Sequence, residues 1–177
     1  MAVCTYERKG VAVTLLKGKL VLLVLLLAVW TGLAYPLDAQ ELAVAAVVAL
    51  LISLLPLGSA GAFGEIRMSP RALLFAVAYV FVFLGELLKA NIDVAFRVLK
   101  PELPIRPGIV RVRTNLHTRL GRTLLANSIT LTPGTITVDT DGDVFYIHWI
   151  NVASDDIEEA TKRIVAKFER YLEVVCG

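Results

Sequence analysis

Two apolar stretches near the start of the chain decide its fold: LVLLVLLLAVWTGLAYPL at Leu20–Leu37 and LAVAAVVALLISLLPLGSAGAFG at Leu42–Gly64. Neither stretch contains a charged residue. A bilayer core about 30 Å thick is crossed by roughly 20 apolar helical residues, and a chain in lipid must satisfy its own backbone hydrogen bonds. The two stretches are therefore predicted to be membrane helices that form a hairpin in a multi-pass protein of the cell membrane.

Composition divides the chain into two parts. The 177 residues are 56% hydrophobic, with a mean hydropathy of +0.70, and most of this apolarity lies before residue 85. The part after Pro101 has the composition of a small soluble domain. We therefore predict a membrane region over residues 1–100 and a small α+β domain over residues 101–177. The net charge of +2 gives no sign of a nucleic-acid partner.

Basic residues indicate which side of the membrane each connection faces. Arg8, Lys9, Lys17 and Lys19 precede the first apolar stretch, and cytoplasmic segments are enriched in such residues. The connection over residues 65–71 carries two more arginines. Both ends of the predicted hairpin are therefore placed in the cytoplasm.

A third helix is predicted over residues 72–99. Its first fourteen residues are apolar, and a ladder of charged residues follows at intervals of three and four: Glu86, Lys89, Asp93 and Arg97. This spacing places the four on one helical face. Two interpretations stay open: a solvated or interfacial face with ion pairs four residues apart, or an ion path inside a membrane bundle.

The residues after this helix favour a cytoplasmic position for the α+β domain. Lys100, Arg106, Arg111 and Arg113 lie close together in sequence, and such clusters belong on the cytoplasmic side. We therefore expect the third helix to enter or skim the membrane without carrying its end across.

The α+β domain is predicted to have the order β-α-β-β-α. Pro101, Pro104 and Pro107 end the preceding helix, and Asp141-Gly142 is typical of a hairpin turn. The predicted elements are strands at residues 109–113, 135–139 and 144–150, a helix at 118–130, and a last helix that begins after Ser154. The last helix is expected to bury Ile164, Val165, Phe168, Tyr171 and Leu172.

No pattern in the chain indicates catalysis. There is no Walker sequence, GxSxG or HExxH motif, and Cys4 and Cys176 lie at opposite ends of the chain. His117 and His148 are also far apart, and the acids at residues 139–143 fit a hairpin turn better than a calcium loop. We predict no catalytic, cofactor-binding or metal-binding residue, no enzyme activity and no small-molecule substrate.

The stretch Leu124–Val138 combines small polar side chains with apolar ones. It has two interpretations that stay open: local bonds that end a helix, or a docking surface for another subunit. The candidate subunit-contact residues are Asn127, Ser128, Thr130, Thr132, Pro133 and Gly134.

Three segments resemble a known family. GELLKANIDVAFRVL at residues 85–99, PIRPG at 104–108 and LANSITLTPGT at 125–135 resemble the E-subunit family of multisubunit cation/proton antiporters of the Mrp (Mnh) type. The resemblance extends from about Ala72 to Tyr171 and includes the order of elements.

The resemblance implies an accessory, non-catalytic membrane subunit of a complex that exchanges Na⁺ for H⁺, without a cofactor of its own. Its partners would be other integral membrane subunits and the lipid bilayer. Related modules occur in archaeal membrane-bound hydrogenases and sulfur-reducing complexes, so a subunit of a respiratory oxidoreductase is the alternative. A free-standing, membrane-anchored binding module is a third possibility. The N-terminal extension Met1–Lys19 leaves the type of complex open.

Overall fold

The computed structural model describes residues 2–34, 38–55, 63–154 and 156–177, with side chains from residue 14 onwards. The chain forms two compact units, an N-terminal unit of residues 1–66 and a C-terminal unit of residues 67–177.

The N-terminal unit contains two apolar helices that pack against each other, α1 (Ala2–Leu33) and α2 (Ala39–Leu54). Asp38 begins α2, because its carboxylate accepts a hydrogen bond of 2.7 Å from the Glu41 N–H. At the other end of α2, Lys19 Nζ donates to the Leu54 carbonyl oxygen over 3.5 Å. A cation at the carboxyl end of a helix is favoured by the helix dipole.

Within the second apolar stretch, predicted over Leu42–Gly64, α2 ends at Leu54, and residues 56–62 lie outside the described part of the chain. Leu55 is extended (φ −58°, ψ 143°) because the residue before a proline disfavours the helical conformation. With 16 residues, α2 is about 24 Å long.

The first predicted stretch also has different bounds. The helix begins at Ala2 and ends at Leu33, and residues 35–37 lie outside the described part. Within the described residues, two helical segments are long and apolar enough to cross a membrane by length and composition alone, Thr14–Leu33 and Pro70–Leu99.

The C-terminal unit begins with a long helix, α3 (Pro70–Leu99). Ser69 caps it by accepting a hydrogen bond of 3.1 Å from the Ala72 N–H, and Pro70 fits the first helical position. Lys100 is extended before Pro101, so the helix ends there. The bounds agree with the predicted third helix, and the 30 residues extend about 45 Å.

The remaining elements form a three-stranded antiparallel sheet with helices on one side. They are β1 (Gly108–Arg113), α4 (Arg119–Leu131), β2 (Thr135–Asp141), β3 (Val144–Trp149), α5 (Ile157–Ile164) and α6 (Ala166–Cys176). The sheet order is β1-β3-β2. The predicted last helix is divided at Val165 into α5 and α6. Gly142 adopts a positive φ of 58° in the turn between β2 and β3.

The core of the C-terminal unit lies between the sheet and its helices. Val110, Val112, Phe145 and Ile147 alternate along β1 and β3 and are buried. From the helices, the core contains Leu125, Ile129, Ala160, Ile164, Val165, Phe168 and Leu172. The predicted stripe of the last helix is buried except for Tyr171, which is half-buried.

Gly134, directly before β2, is at a position that only glycine fits well. Its φ is 91°, and a Cβ there would lie 2.9 Å from Ile150 Cγ2. We expect Gly134→Ala to lower the free energy of unfolding by about 1–3 kcal/mol, because strained backbone and a steric contact add. Urea unfolding of the full chain in detergent, followed by Trp149 fluorescence in a Trp30→Phe background, measures this change.

Gly142→Ala is the matched control. Gly142 also has a positive φ, but a Cβ there would meet nothing within 4 Å. The control is therefore expected to cost less than Gly134→Ala, and an equal or larger loss for Gly142→Ala would contradict the close approach to Ile150.

Candidate functional site

Aromatic residues on one face of α3 pack against the rest of the C-terminal unit. Phe75, Tyr79 and Phe83 recur every four residues and therefore point the same way. The ring centroids of Tyr79 and Phe83 lie 6.5 and 6.3 Å from that of Phe168 in α6, and Phe75 lies 6.0 Å from Tyr171. Tilted and edge-to-face rings at these distances attract each other beyond their burial. We call this side of α3 its inner face.

Polar contacts continue along the inner face. The Tyr79 hydroxyl and Ser128 Oγ of α4 are hydrogen bonded. One turn beyond Phe83, Lys167 Nζ of α6 lies 2.5 Å from Glu86 Oε2. The two side chains are 30% and 24% exposed, so the pair is partly shielded from water.

We expect Glu86→Gln to lower the free energy of unfolding by about 1 kcal/mol, because the remaining Lys167 ammonium loses its partner in a half-buried place. A double-mutant cycle with Lys167→Gln, measured by urea unfolding, isolates the pair. Asp93→Asn is the control, because Asp93 is 56% exposed in its own ion pair. A coupling free energy of zero between residues 86 and 167 would contradict the pairing.

The far end of α3 is tied to the proline-rich elbow. Arg97 Nε pairs with Asp93 Oδ2 over 2.7 Å, and Arg97 Nη1 donates to the Pro104 carbonyl oxygen over 2.9 Å. The predicted ion pair between Asp93 and Arg97 is therefore present. The other predicted pair, between Lys89 and Asp93, is not among the ion pairs of the described residues.

A groove runs beside α3 and brings the two predicted sets of site residues together. The cavity has a volume of about 740 Å³ and lies entirely within the C-terminal unit. All four residues of the charged ladder line it, as do Thr132, Pro133 and Gly134 from the candidate contact set. We call this cavity the α3 groove.

The α3 groove carries an excess of positive charge. From α5 and α6 it also receives Lys162, Arg163 and Lys167, so its lining has five basic and two acidic residues. Both acids are paired, as described above, and Arg163 pairs with Glu159 over 2.8 Å. Within the described part of the chain, Lys89 and Lys162 make no ion pair.

The candidate contact residues divide into inward and outward ones. Ser128 and Thr132 are buried, and their hydroxyls donate to the carbonyl oxygens of Leu124 and Ser128 over 2.6 and 2.7 Å. We therefore remove these two from the contact set, because the fold itself uses them. Asn127 and Thr130 are exposed, and Pro133 and Gly134 are half-buried. A subunit contact at these four stays a prediction.

Sequence reasoning missed the basic residues of α5 and α6 and the aromatic residues of α3. Lys162 and Lys167 lie in an ordinary amphipathic helix pattern, which gives no sign of what they face. The four-residue recurrence of Phe75, Tyr79 and Phe83 was a usable signal of an inner face. In the described residues, no three histidine, cysteine, aspartate or glutamate side chains form a metal-binding group.

The outer face of α3 is apolar and exposed. Its large side chains are Leu73, Leu74, Val77, Val80, Phe81, Leu84, Leu88, Ile92 and Phe96. An apolar surface of this extent is typical of membrane or subunit contacts. A long helix with one face on an α+β domain and the other apolar and open, in a chain that also has the apolar α1, defines a membrane-associated protein.

Comparison with known proteins gives the family. The family model described as MNHE, Na⁺/H⁺ ion antiporter subunit, matches residues 23–175. This match covers most of the chain, and the chain belongs to this family. The resemblance predicted from residues 85–99, 104–108 and 125–135 is thus confirmed.

Curated relatives carry the same description. The chain is 38% identical to the E subunit of the Na⁺/H⁺ antiporter of Bacillus subtilis over 58% of its own length and 65% of that protein. It is 43% identical to the corresponding antiporter protein of Alkalihalophilus pseudofirmus over 53% of its length and 60% of that protein. The matches thus span less than two thirds of these relatives.

A solved structure is similar over a larger range. It contains a chain of the membrane-bound sulfane sulfur reductase (MBS), an archaeal respiratory membrane complex. The identity is 41% and the TM-score 0.78, with 89% of this chain and 98% of that chain covered.

Proposed function

We propose that this protein is an accessory, non-catalytic membrane subunit of a multisubunit Na⁺/H⁺ antiporter or of a respiratory complex that contains an antiporter-like module. Family membership supports the antiporter module, and the two faces of α3 support an assembly role. In this proposal the ion path lies in other subunits, and this chain joins the membrane helices to a cytoplasmic α+β domain.

The single observation that carries the proposal is the contact of α3 with the α+β domain along most of its length. The contacts run from Phe75, beside Tyr171, to Val94, whose Cγ2 lies 3.8 Å from the Cβ position of Gly134, which is about 28 Å of helix. A bilayer core is about 30 Å thick. If α3 crossed it, the domain packed on the inner face would enter the hydrocarbon as well.

Charges on the domain make such a crossing costly. Arg170 and Glu173 of α6 are exposed, and Lys167 is half-buried beside α3. Ionised side chains at the bilayer centre cost several kcal/mol each. We therefore place α3 along the cytoplasmic membrane surface, with its outer face toward the bilayer and the α+β domain in water.

This placement chooses between the two interpretations of the charged ladder. Glu86 and Asp93 have protein cations as partners, and the four ladder residues line a groove together with residues of the α+β domain, which supports the interfacial interpretation. We propose that Glu86, Lys89, Asp93 and Arg97 form an interfacial face and that no ion passes along them.

The membrane region of residues 1–100 and the cytoplasmic domain of residues 101–177 remain part of the proposal. This division separates lipid-contacting helices from the domain in water, whereas the compact units divide at residues 66 and 67. The cytoplasmic position rests on the basic residues in the part of α1 that precedes its apolar stretch, and on those that follow α3. The remaining exposed contact residues, Asn127 and Thr130, would then meet the cytoplasmic parts of other subunits.

A respiratory complex is the second candidate for the parent assembly. The match to the sulfane sulfur reductase chain favours it, because that match covers 98% of the solved chain, against 65% of the Bacillus subtilis protein. The redox centres of such a complex would lie in other subunits.

Affinity purification of the tagged full chain from native membranes in mild detergent, with mass spectrometry of the co-purified proteins, tests the proposal. Large antiporter-like subunits without redox proteins would support a dedicated antiporter. Iron–sulfur subunits in stoichiometric amounts would support a respiratory complex. Recovery of the chain alone, stable and monodisperse, would contradict both and favour a free-standing binding module.

A further inference from the structure

We propose that the α3 groove binds an anionic phospholipid. Lys89 and Lys162 would hold the headgroup phosphate, and the acyl chains would leave the groove across Ile92 and Phe96. This inference rests on the proposed position of α3 at the membrane surface and adds a specific lipid partner to it.

The positive charge of the groove predicts an anionic ligand. Lys89 on α3 and Lys162 on α5 line the same groove from two elements, and neither makes an ion pair among the described residues. The neighbouring carboxylates of Glu86 and Asp93 are already paired with Lys167 and Arg97. An anion that enters the groove therefore finds two ammonium groups without having to break an existing ion pair.

The apolar residues of the groove show that the ligand is an amphiphile. Ile92 and Phe96 line the groove and are 56% and 63% exposed. They also belong to the outer face of α3, so a continuous apolar surface leads from the groove to the side that we place against the bilayer. The half-buried Trp149 lines the groove as well, and tryptophan is enriched at the headgroup level of membranes.

The dimensions of the groove suit a lipid headgroup. Its volume of about 740 Å³ lies within the range of small-molecule sites. An acidic peptide from another subunit would match the charge, but it would have no need of the apolar route to the outer face. The geometry therefore favours the lipid.

Native mass spectrometry of the full chain in non-ionic detergent, titrated with phosphatidylglycerol or phosphatidylcholine, tests the proposal. The binding free energy that one lysine near a membrane surface contributes corresponds to about a fivefold change in affinity for anionic lipid. We therefore expect Lys89→Gln and Lys162→Gln each to weaken phosphatidylglycerol binding about fivefold. The double variant should weaken it about 25-fold. Phosphatidylcholine should bind weakly to every form.

Lys100→Gln is the matched control. Lys100 follows α3, is exposed and does not line the groove, so Lys100→Gln removes the same charge from a position outside the groove. Equal losses for Lys100→Gln and the groove variants would overturn the site and indicate a diffuse attraction. Competition by millimolar inorganic phosphate that removes all binding would overturn the lipid in favour of a simple anion site.

Affinity purification separates this inference from the proposed function. If the inference is right, the Lys89→Gln/Lys162→Gln variant still recovers its partner subunits but retains less phosphatidylglycerol than the wild-type complex. If the lipid content is unchanged, the lipid site is wrong while the subunit role stands. Loss of an acidic partner subunit with no change in bound lipid would show that the groove binds a peptide, which also overturns the lipid.

Discussion

Phe168→Ala is expected to lower the free energy of unfolding of the C-terminal unit by about 3–5 kcal/mol. Phe168 is 1% exposed, and its ring contacts those of Tyr79 and Phe83 on the inner face of α3. Truncation removes buried surface, leaves a cavity and breaks both aromatic contacts. Since domains are stable by only about 5–15 kcal/mol, this single change removes a large share of the total.

Urea unfolding of the full chain in detergent, followed by Trp149 fluorescence in the Trp30→Phe background, measures the loss. Phe81→Ala is the matched control, because Phe81 lies on the outer face of α3 and is 70% exposed. We expect it to change the free energy of unfolding by less than about 0.5 kcal/mol. Similar losses for the two variants would contradict the assignment of inner and outer faces.

Glu169→Ala is expected to cost about 2–4 kcal/mol, the second-largest effect. Glu169 lies in α6 but is 8% exposed, and its Oε1 accepts hydrogen bonds from Thr114 Oγ1 over 2.5 Å and from the Asn115 N–H over 2.6 Å. The carboxylate thereby fixes the loop between β1 and α4. Alanine would leave two inward-facing donors without an acceptor, and each unsatisfied buried group costs about 1–3 kcal/mol.

Two further variants test the reason for this loss. Glu169→Gln keeps an oxygen acceptor and is expected to lose less than Glu169→Ala. Glu173→Ala removes an exposed carboxylate one turn further along the same helix and is expected to change stability by less than about 0.5 kcal/mol. If Glu169→Gln and Glu169→Ala lost equal stability, the lost hydrogen bonds to the loop would not be the cause of the destabilisation.

The elements with strong local signals could be predicted from the sequence. The strands alternate apolar and polar residues, Asp141-Gly142 indicated the hairpin, and the prolines from Pro101 onwards indicated the end of α3. The charged ladder could also be placed on one helical face, because its residues recur at helical spacing. These features depend on neighbours in sequence, which pattern reasoning reads directly.

The pairing of α3 with α6 could not be predicted from the sequence. The run ALLFAVAYVFVFLG at residues 72–85 is apolar on all sides, so its hydropathy does not say which face meets protein and which meets lipid. The recurrence of Phe75, Tyr79 and Phe83 indicates an inner face, but it does not say which element packs on that face. The role of Ser128 also stayed open, because the sequence does not show which group its hydroxyl contacts. A hydroxyl that bonds a tyrosine 49 residues away looks the same in sequence as one that awaits a partner.

The end of α2 at Leu54 could not be predicted from hydropathy. Hydropathy continues past Leu54 to Gly64, but the backbone conformation of Leu55 is set by the proline that follows it. A count of apolar residues measures affinity for lipid, whereas the length of a helix also depends on where its hydrogen bonds are interrupted.

The depth of α3 in the bilayer tests the central claim most directly. Spin labels at Leu74, Phe81 and Leu88, introduced singly as cysteines in a Cys4→Ser background, follow one exposed face over about 21 Å of helix. The buried Cys176 can be retained. Collision with oxygen and with a nickel chelate in lipid nanodiscs reports the depth of each label. Our account predicts three similar depths near the headgroups. A steady gradient through the bilayer centre would show that α3 crosses the membrane and would contradict it.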